Sequence, residues 1–212
     1  MDLITIFEYI GLFVFAASGA ICAIEKRMDF FGILTLATVT AIGGGVIRDV
    51  VTNIGIPVFF SRWEYMLVIL ISTILVIIFR GTIKWKTSFL ILDAIGLAVF
   101  TIAAGMKAIE LEYNFMTFLF VSLITAVGGG VIRDILARQV PNILKHEIYA
   151  VASIIGSICF WFIHPYLGMG FSSYLCLLLI FIIRLVTYYY HLHLPYIENG
   201  QIKFKPTQEK LD

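Results

Sequence analysis

The stretch GGGVIRD occupies residues 43–49 and occurs again, letter for letter, at residues 128–134. The two copies are 85 positions apart, and each lies near the end of a long apolar segment. Glycine weakens a helix, and ionised side chains are costly in lipid. Because the chain carries both unfavourable features twice, we predict that they serve its function.

The composition is that of a membrane protein. Of the 212 residues, 60% are hydrophobic and 14% are charged, and the mean hydropathy is +0.98. Ordinary soluble domains carry roughly 25% charged residues. The net charge of +1 gives no indication of a nucleic-acid partner. We therefore predict a polytopic membrane protein in contact with lipid.

Apolar segments recur along the chain, and a bilayer-spanning helix needs about 20 mostly apolar residues. The start, Met1-Asp2-Leu3, lacks the basic residues of a signal peptide, so the first segment is predicted to be a retained helix. We predict an all-α membrane protein with seven transmembrane helices, at about 3–24, 30–51, 63–79, 88–109, 115–137, 146–163 and 170–190.

The repeat extends well beyond its motif. A shift of 85 places Glu8 on Asp93 and Phe15 on Phe100, with no gap up to the end of the second glycine motif. Each copy holds three helices, and an odd number forces the copies into opposite orientations. We predict an inverted three-helix repeat at 1–86 and 87–165, a seventh helix at 166–194 and a polar cytoplasmic tail at 195–212.

Basic residues indicate the orientation, because cytoplasmic loops are enriched in lysine and arginine. The opposite side has little beyond Arg62 and Lys107. The N-terminus is therefore predicted outside and the C-terminus inside. The residues on the basic side are Lys26, Arg27, Arg80, Lys84, Lys86, Arg138, Lys145, Lys203, Lys205 and Lys210.

The glycine triplets fall at about mid-membrane. A break there would leave carbonyl groups without amide partners near Thr40 and Thr125, and carbonyl and hydroxyl oxygens are suitable ligands for a desolvated cation. The alternative is that the triplets only allow close helix contact. The six glycines are Gly43, Gly44, Gly45, Gly128, Gly129 and Gly130.

The arginines of the motif follow the glycines on the same helix face, so both are predicted to point inward. Asp49 is one residue after Arg48 and about 100° round the helix, which argues against pairing between the two. The hypothesis is crossed pairing between the repeats: Arg48 with Asp134 or Asp93, and Arg133 with Asp49 or Glu8.

Nothing in the sequence indicates an enzyme, a metal centre or a cofactor. Cys22, Cys159 and Cys176 lie singly in apolar runs, without CxxC or CxxH spacing. His191 and His193 are two residues apart, so they do not share a helix face. No Ser-His-Asp or HExxH pattern occurs.

The doubled Thr-Ala-x-GGGVIRD motif, the acidic residues Glu8 and Asp93, and the Ser-Gly-Ala run at 18–20 resemble the bacterial TRIC family, the trimeric intracellular cation channels. The same bacterial proteins are also labelled glycine transporters. The resemblance covers residues 3–190. It implies a homotrimer in the inner membrane, with a pore in each protomer lined by the second and fifth helices, kinked at their glycines. It also implies passive, potassium-favouring conduction of monovalent cations.

The chain departs from the family pattern at two places. Glu8 stands where the family leads us to expect aspartate. The loop at 52–57 also lacks the basic residue that Arg138 supplies after the second motif.

Three interpretations remain open at this stage. In a cation channel, Thr40 and Thr125 would offer oxygens, and Arg48 and Arg133 would line or gate the path. In a carrier of a small amino acid such as glycine, an arginine would hold the substrate carboxylate. The third is a structural membrane protein without transport. In the channel, the arginine charge would be balanced by Asp49, Asp134, Asp93 and Glu8.

Overall fold

The computed structural model describes residues 2–79, 85–144, 148–190, 192, 196–198 and 201–203. A single 3-10 turn spans Asn142–Leu144, and two short antiparallel strands, β1 (Tyr196–Glu198) and β2 (Gln201–Lys203), follow the last helix within these ranges. The helices are α1 (Leu3–Glu25), α2 (Phe30–Val51), α3 (Val58–Ser61), α4 (Trp63–Ile78), α5 (Trp85–Glu110), α6 (Phe115–Leu136), α7 (Ala150–Leu167) and α8 (Met169–Tyr189).

Each of the predicted apolar segments overlaps one helix. Six helices, α1, α2, α5, α6, α7 and α8, are long and apolar enough to cross a membrane. The remaining apolar helix, α4, has 16 residues and is shorter than that criterion. The short helix α3 and the strands β1 and β2 were not predicted. The predictions for Arg80, Lys84, Lys145, His191 and His193 lie outside the described residues.

Helices α2 and α6 begin and end in the same way. Asp29 accepts a hydrogen bond from the Gly32 amide at 2.7 Å, and Asn114 accepts one from the Thr117 amide at 3.0 Å. These side chains satisfy backbone donors that the first helical turn leaves free. Beyond the other ends, Asn53 and Arg138 adopt positive φ values of 52° and 54°. Such left-handed residues stop a helix and turn the chain.

The centre of the molecule is the contact between α1 and α5. Helix α1 also packs on α2 and α4, and α5 packs on α6, α7 and α8. Phe15 lies against Gly96, where a Cβ atom would be 2.1 Å from the ring, and Phe100 lies against Gly11, where it would be 2.7 Å away. The two buried rings meet edge to face at 5.2 Å. Glycine at both places therefore lets aromatic rings fill the middle of the core.

Helices α2 and α6 cross at the glycine triplets, and both remain α-helical throughout. A Cβ atom on Gly44 would lie 2.0 Å from the Thr125 carbonyl oxygen, and one on Gly129 would lie 2.1 Å from the Thr40 carbonyl oxygen. The contact is reciprocal and allows backbone to meet backbone. The middle glycines therefore allow close contact between the two helices.

An unwound break at the triplets is wrong, because both helices are continuous across these glycines. The kink that the family resemblance implies stays a prediction. The expected free carbonyls near Thr40 and Thr125 are accordingly absent from these two described helices. The Thr40 hydroxyl donates to the Leu36 carbonyl at 2.6 Å, and the Thr125 hydroxyl donates to the Val121 carbonyl at 2.7 Å. Both hydroxyls thus bond within their own helices.

Candidate functional site

Two buried groups of charged and polar side chains lie near the C-terminal ends of α2 and α6. We name them the first cluster and the second cluster. Each contains the Arg-Asp pair of one glycine motif, together with the acidic residue at the matching position of α1 or α5. The first cluster is Glu8, Arg48, Asp49, Tyr65 and Lys107; the second cluster is Ser18, Asp93, Arg133, Asp134 and Tyr149.

In the first cluster, both cations lie close to Asp49. Arg48 Nε donates to Asp49 Oδ1 at 2.8 Å, and Lys107 Nζ lies 3.8 Å from the same oxygen. The other carboxylate oxygen accepts a hydrogen bond from the Val58 amide at 3.0 Å. Asp49 therefore holds α2, α5 and the start of α3 together.

Glu8 is held mainly by a tyrosine. The Tyr65 hydroxyl, on α4, donates to Glu8 Oε2. Arg48 Nη1 lies 4.0 Å from Glu8 Oε1, which is too long for a hydrogen bond. Arg48 is therefore anchored through Asp49, while its contact with Glu8 is loose.

In the second cluster, one guanidinium joins two carboxylates. Arg133 Nη1 lies 2.6 Å from Asp93 Oδ1, and Nε lies 2.9 Å from Asp134 Oδ1. Arg133 Nη1 also donates to the Ser18 hydroxyl at 3.1 Å, and its Cζ lies 4.5 Å from the centre of the Phe89 ring. This arginine is enclosed by charge-assisted hydrogen bonds and an aromatic face.

Asp134 is held on its other side by the turn that follows α6. Gln139 Nε2 donates to Asp134 Oδ1 at 3.0 Å, and the Asn142 amide donates to Oδ2 at 2.9 Å. Asp49 makes the corresponding bond to the Val58 amide. The aspartate of each motif therefore fixes the chain segment after its helix as well as the neighbouring arginine.

The crossed pairing predicted from the sequence is wrong. Among the described residues, no ion pair joins Arg48 or Arg133 to a carboxylate of the other cluster. Each arginine instead pairs with the aspartate that follows it. The 100° separation refers to the Cβ directions, and a long arginine side chain can curl back so that Nε reaches its neighbour.

The third glycine of each triplet faces its own arginine. A Cβ atom on Gly45 would be 4.0 Å from Arg48 Nη2. One on Gly130 would be 3.4 Å from the Tyr149 hydroxyl and 3.6 Å from Arg133 Nη2. These are ordinary contact distances. The third glycine therefore lies beside the guanidinium, whereas the middle glycine brings the two helices together.

Two cavities border the first cluster. One has a volume of about 40 Å³ and reaches inward to Gly45, Phe100 and Thr125. The other has a volume of about 180 Å³ and is lined partly by charged side chains of both signs. Glu8 and Val58 line both cavities. The charged residues around the larger cavity are Asp2, Glu8, Arg62, Lys107 and Glu110.

The two clusters differ in their access to solvent. In the first cluster, the side chains of Glu8 and Lys107 are 12% and 19% exposed. In the second cluster, those of Arg133 and Asp93 are 1% and 2% exposed. The first cluster is therefore the more accessible of the two.

Several members of the site were not predicted from the sequence. Tyr65 and Tyr149 each lie at or near the start of the helix after a motif, and their recurrence near the repeat offset was an available signal. Lys107 was read only as a marker of orientation. Arg184 lies in the apolar run of α8, with its Cζ 4.5 Å from the centre of the Tyr149 ring. A charge inside an apolar helix usually marks a functional position.

Most of the chain matches a known protein family and its members. The family model described as glycine transporter matches residues 5–81 and 90–165. The UPF0126 inner membrane protein YadS of Escherichia coli (strain K12) is 40% identical over 208 residues, covering 92% of this chain and 97% of the relative.

Solved structures give the same result. A prokaryotic TRIC channel crystallised in 0.5 M KCl is 30% identical, with a TM-score of 0.84 and coverage of 89% of this chain and 97% of that one. The trimeric intracellular cation channel orthologue from Rhodobacter sphaeroides is 26% identical, with a TM-score of 0.86 and coverage of 91% and 100%.

Apolar helices around two buried charge clusters define a polytopic integral membrane protein of the α-helical class. The matches over most of the chain identify the family. The chain belongs to the TRIC family, which the matching model describes as glycine transporter.

Proposed function

We propose that the protein is a passive channel for monovalent cations, favouring potassium, and not an enzyme. The path runs through each protomer, between α2 and α6. The observation that carries the proposal is the pair of clusters at the two ends of the α2–α6 crossing, one of which borders two cavities. The similarity in fold to prokaryotic TRIC channels supports it.

The crossing of α2 and α6 is the natural place for the closed point of the path. The smaller cavity reaches Gly45 and Thr125, where the glycines bring the two backbones together. At Gly44 and Gly129, contacts of backbone with backbone join the helices, without interlocking side chains. Such contacts are individually weak, so a small separation of the helices can open the crossing.

The arginines do not repel cations from this path, because their charges are balanced. Asp49 and Asp134 each bind the arginine that precedes them, and Glu8 and Asp93 add a second carboxylate at each cluster. In the second cluster two carboxylates face one arginine, which favours cations over anions at that end. In the first cluster the two carboxylates balance Arg48 and Lys107. In this proposal, the glycines lie at the closed point of the path and Thr40 and Thr125 offer oxygens to the cation. The charged residues line or gate the path.

The architecture proposed with this function is an inverted repeat. It has repeats at 1–86 and 87–165, a seventh helix at 166–194 and a cytoplasmic tail at 195–212, with the N-terminus outside. The reciprocal contact of Gly44 with Thr125 and of Gly129 with Thr40 supports a two-fold relation. The proposed location is the inner membrane and the proposed assembly a homotrimer, as the names of the relatives suggest.

Reconstitution tests the proposal. The full-length protein in planar bilayers with a potassium gradient is expected to show unitary currents that reverse near the potassium equilibrium potential. The parallel measurement is uptake of labelled glycine into proteoliposomes. Saturable glycine uptake without unitary current would overturn the channel proposal.

The charge at Glu8 is expected to set cation preference. In Glu8→Gln, the first cluster keeps Arg48 and Lys107 but loses a carboxylate, so the ratio of potassium to chloride permeability should fall about threefold or more. Reversal potentials in asymmetric KCl measure the ratio. Glu64→Gln is the matched control, because Glu64 is exposed at the start of α4. Equal ratios in the two variants would place Glu8 outside the path.

A carrier of small amino acids is the second candidate. The larger cavity presents both signs of charge, with Arg62 and Lys107 near Glu8 and Glu110. A zwitterion needs this combination, since its carboxylate and ammonium groups seek opposite partners. The description of the matching family model favours the same substrate. The glycine-uptake arm of the reconstitution experiment decides between the two candidates.

A further inference from the structure

The two clusters hold equivalent carboxylates in different ways. Glu8 accepts a hydrogen bond from the Tyr65 hydroxyl and lies 4.0 Å from Arg48. Asp93 instead contacts Arg133 directly at 2.6 Å. The Tyr149 hydroxyl is buried near Asp93 but makes no hydrogen bond of regular geometry. The same three groups, a carboxylate, an arginine and a tyrosine, therefore occur in two arrangements.

The carboxylate that binds tyrosine lies in the more exposed cluster, and the carboxylate that binds arginine lies in the more buried one. The cluster with the tyrosine-bound carboxylate borders both cavities. The cluster with the arginine-bound carboxylate has Arg133 and Asp134 side chains that are each only 1% exposed. When a carboxylate binds tyrosine, its arginine loses a partner, so the guanidinium is freer to move and water can reach it.

We infer that Tyr65 and Tyr149 are gating residues. When its end of the path opens, each tyrosine donates a hydrogen bond to the carboxylate of its cluster and replaces the arginine as that carboxylate's partner. When that end closes, the carboxylate returns to the arginine. In the present conformation the end at Glu8 is open and the end at Asp93 is closed. The gating role rests on the proposed channel function. The exchange of hydrogen-bond partners does not depend on that function and can be tested separately.

Side-chain length explains why the two ends differ. Glutamate is one methylene longer than aspartate, so Glu8 reaches its tyrosine where Asp93 stays on its arginine. A conformation in which both carboxylates have the same kind of partner is accordingly less stable in this protein than the asymmetric one. The departure of residue 8 from the expected aspartate therefore sets the resting asymmetry of the gate.

Arg184 is the positioning residue for Tyr149. Its guanidinium Cζ lies 4.5 Å from the centre of the Tyr149 ring, and the side chain is buried. The contact fixes the ring from α8, so that the hydroxyl stays beside Gly130 and Asp93. Tyr65 has a weaker counterpart in Arg62, whose Cζ lies 5.8 Å from its ring centre. Helix α8 thereby positions the tyrosine of the second cluster only.

Exchanging the two acidic residues tests the inference without changing charge. Asp93→Glu should reach Tyr149 and open the second cluster, while Glu8→Asp should return to Arg48 and close the first. The first readout is open probability in planar bilayers. The second is modification of Cys22 by a small cationic methanethiosulfonate in a Cys159→Ala/Cys176→Ala background.

Cys22 reports on the second cluster independently of current. Its sulfur lies 3.9 Å from Gln139 Nε2, and Gln139 bonds Asp134. Asp93→Glu is expected to raise the modification rate about tenfold, the scale set by one net hydrogen bond. Adding Tyr149→Phe should return the rate to that of the parent, because the donor hydroxyl is gone. Arg184→Met in the Asp93→Glu background should lower it partly.

Specific outcomes would overturn the exchange. One is an equal Cys22 rate in Asp93→Glu with and without Tyr149→Phe. If Asp93→Glu does not fold, Glu8→Asp carries the test: it should lower open probability about tenfold and make it insensitive to Tyr65→Phe. An unchanged open probability would refute the proposal. If no variant passes current while the Cys22 rates change as expected, the channel function fails and the exchange stands.

Discussion

Replacing Gly129 by alanine is expected to destabilise the protein by about 3 kcal/mol, near the upper end of the usual cost of overpacking. The added Cβ atom would lie 2.1 Å from the Thr40 carbonyl oxygen, which is backbone and cannot rotate away. The helices must separate, and the packing around Phe15 is then disturbed. Thermal melting in detergent, followed by circular dichroism, measures the loss. The reciprocal variant Gly44→Ala should behave in the same way.

The next residue along the chain is the matched control. A Cβ atom at Gly130 would meet the Tyr149 hydroxyl at an ordinary 3.4 Å. Alanine also favours a helix by about 1 kcal/mol over glycine. Gly130→Ala and Gly45→Ala should therefore melt at or above the parent temperature. Equal melting of Gly129→Ala and Gly130→Ala would contradict the close crossing of α2 and α6.

Removing the cation of the second cluster is the other substitution with a large expected effect. Arg133→Met leaves Asp93 and Asp134 buried without their guanidinium partner. Breaking one side of a buried ion pair costs about 3–5 kcal/mol. We expect a corresponding loss in unfolding free energy, measured by denaturant titration in detergent micelles.

Arg48→Met is the matched comparison, because in the first cluster a second cation remains and the charges are less buried. Lys107 remains 3.8 Å from Asp49, and the first cluster is more exposed than the second. The expected loss is less than half that of Arg133→Met. The triple change Arg133→Met/Asp93→Asn/Asp134→Asn, which removes the unpaired charges as well, should recover part of the stability. A larger loss in Arg48→Met than in Arg133→Met would refute this account of the clusters.

Several features of the fold could be predicted from local pattern. The apolar runs predicted the helical segments, because a segment must be long and apolar to cross lipid whatever its neighbours are. The short helix α3 escaped notice because Val58–Ser61 is only one turn long. The 85-residue offset identified Glu8, Asp93 and the two Arg-Asp pairs as one kind of site. All of these features can be predicted because they depend only on which residues occur and in what order.

The pairing of charges could not be predicted in the same way. The Cβ directions on a helix argue against a contact of Arg48 with Asp49, yet the two side chains meet at 2.8 Å. Which partner an arginine chooses depends on distances between helices and on the reach of a flexible side chain. Tyr65, Tyr149 and Lys107 entered the site for the same reason, since each comes from a helix outside the motifs.

The sequence by itself determined the membrane environment, the approximate helices, the doubled motif and the candidate residues, because hydropathy and repetition are properties of the chain alone. Only the tertiary structure decided that the glycine triplets join two continuous helices, that each arginine binds its neighbouring aspartate, and that the two clusters hold their carboxylates differently. These depend on a few ångströms of separation between packed helices, which no linear pattern encodes.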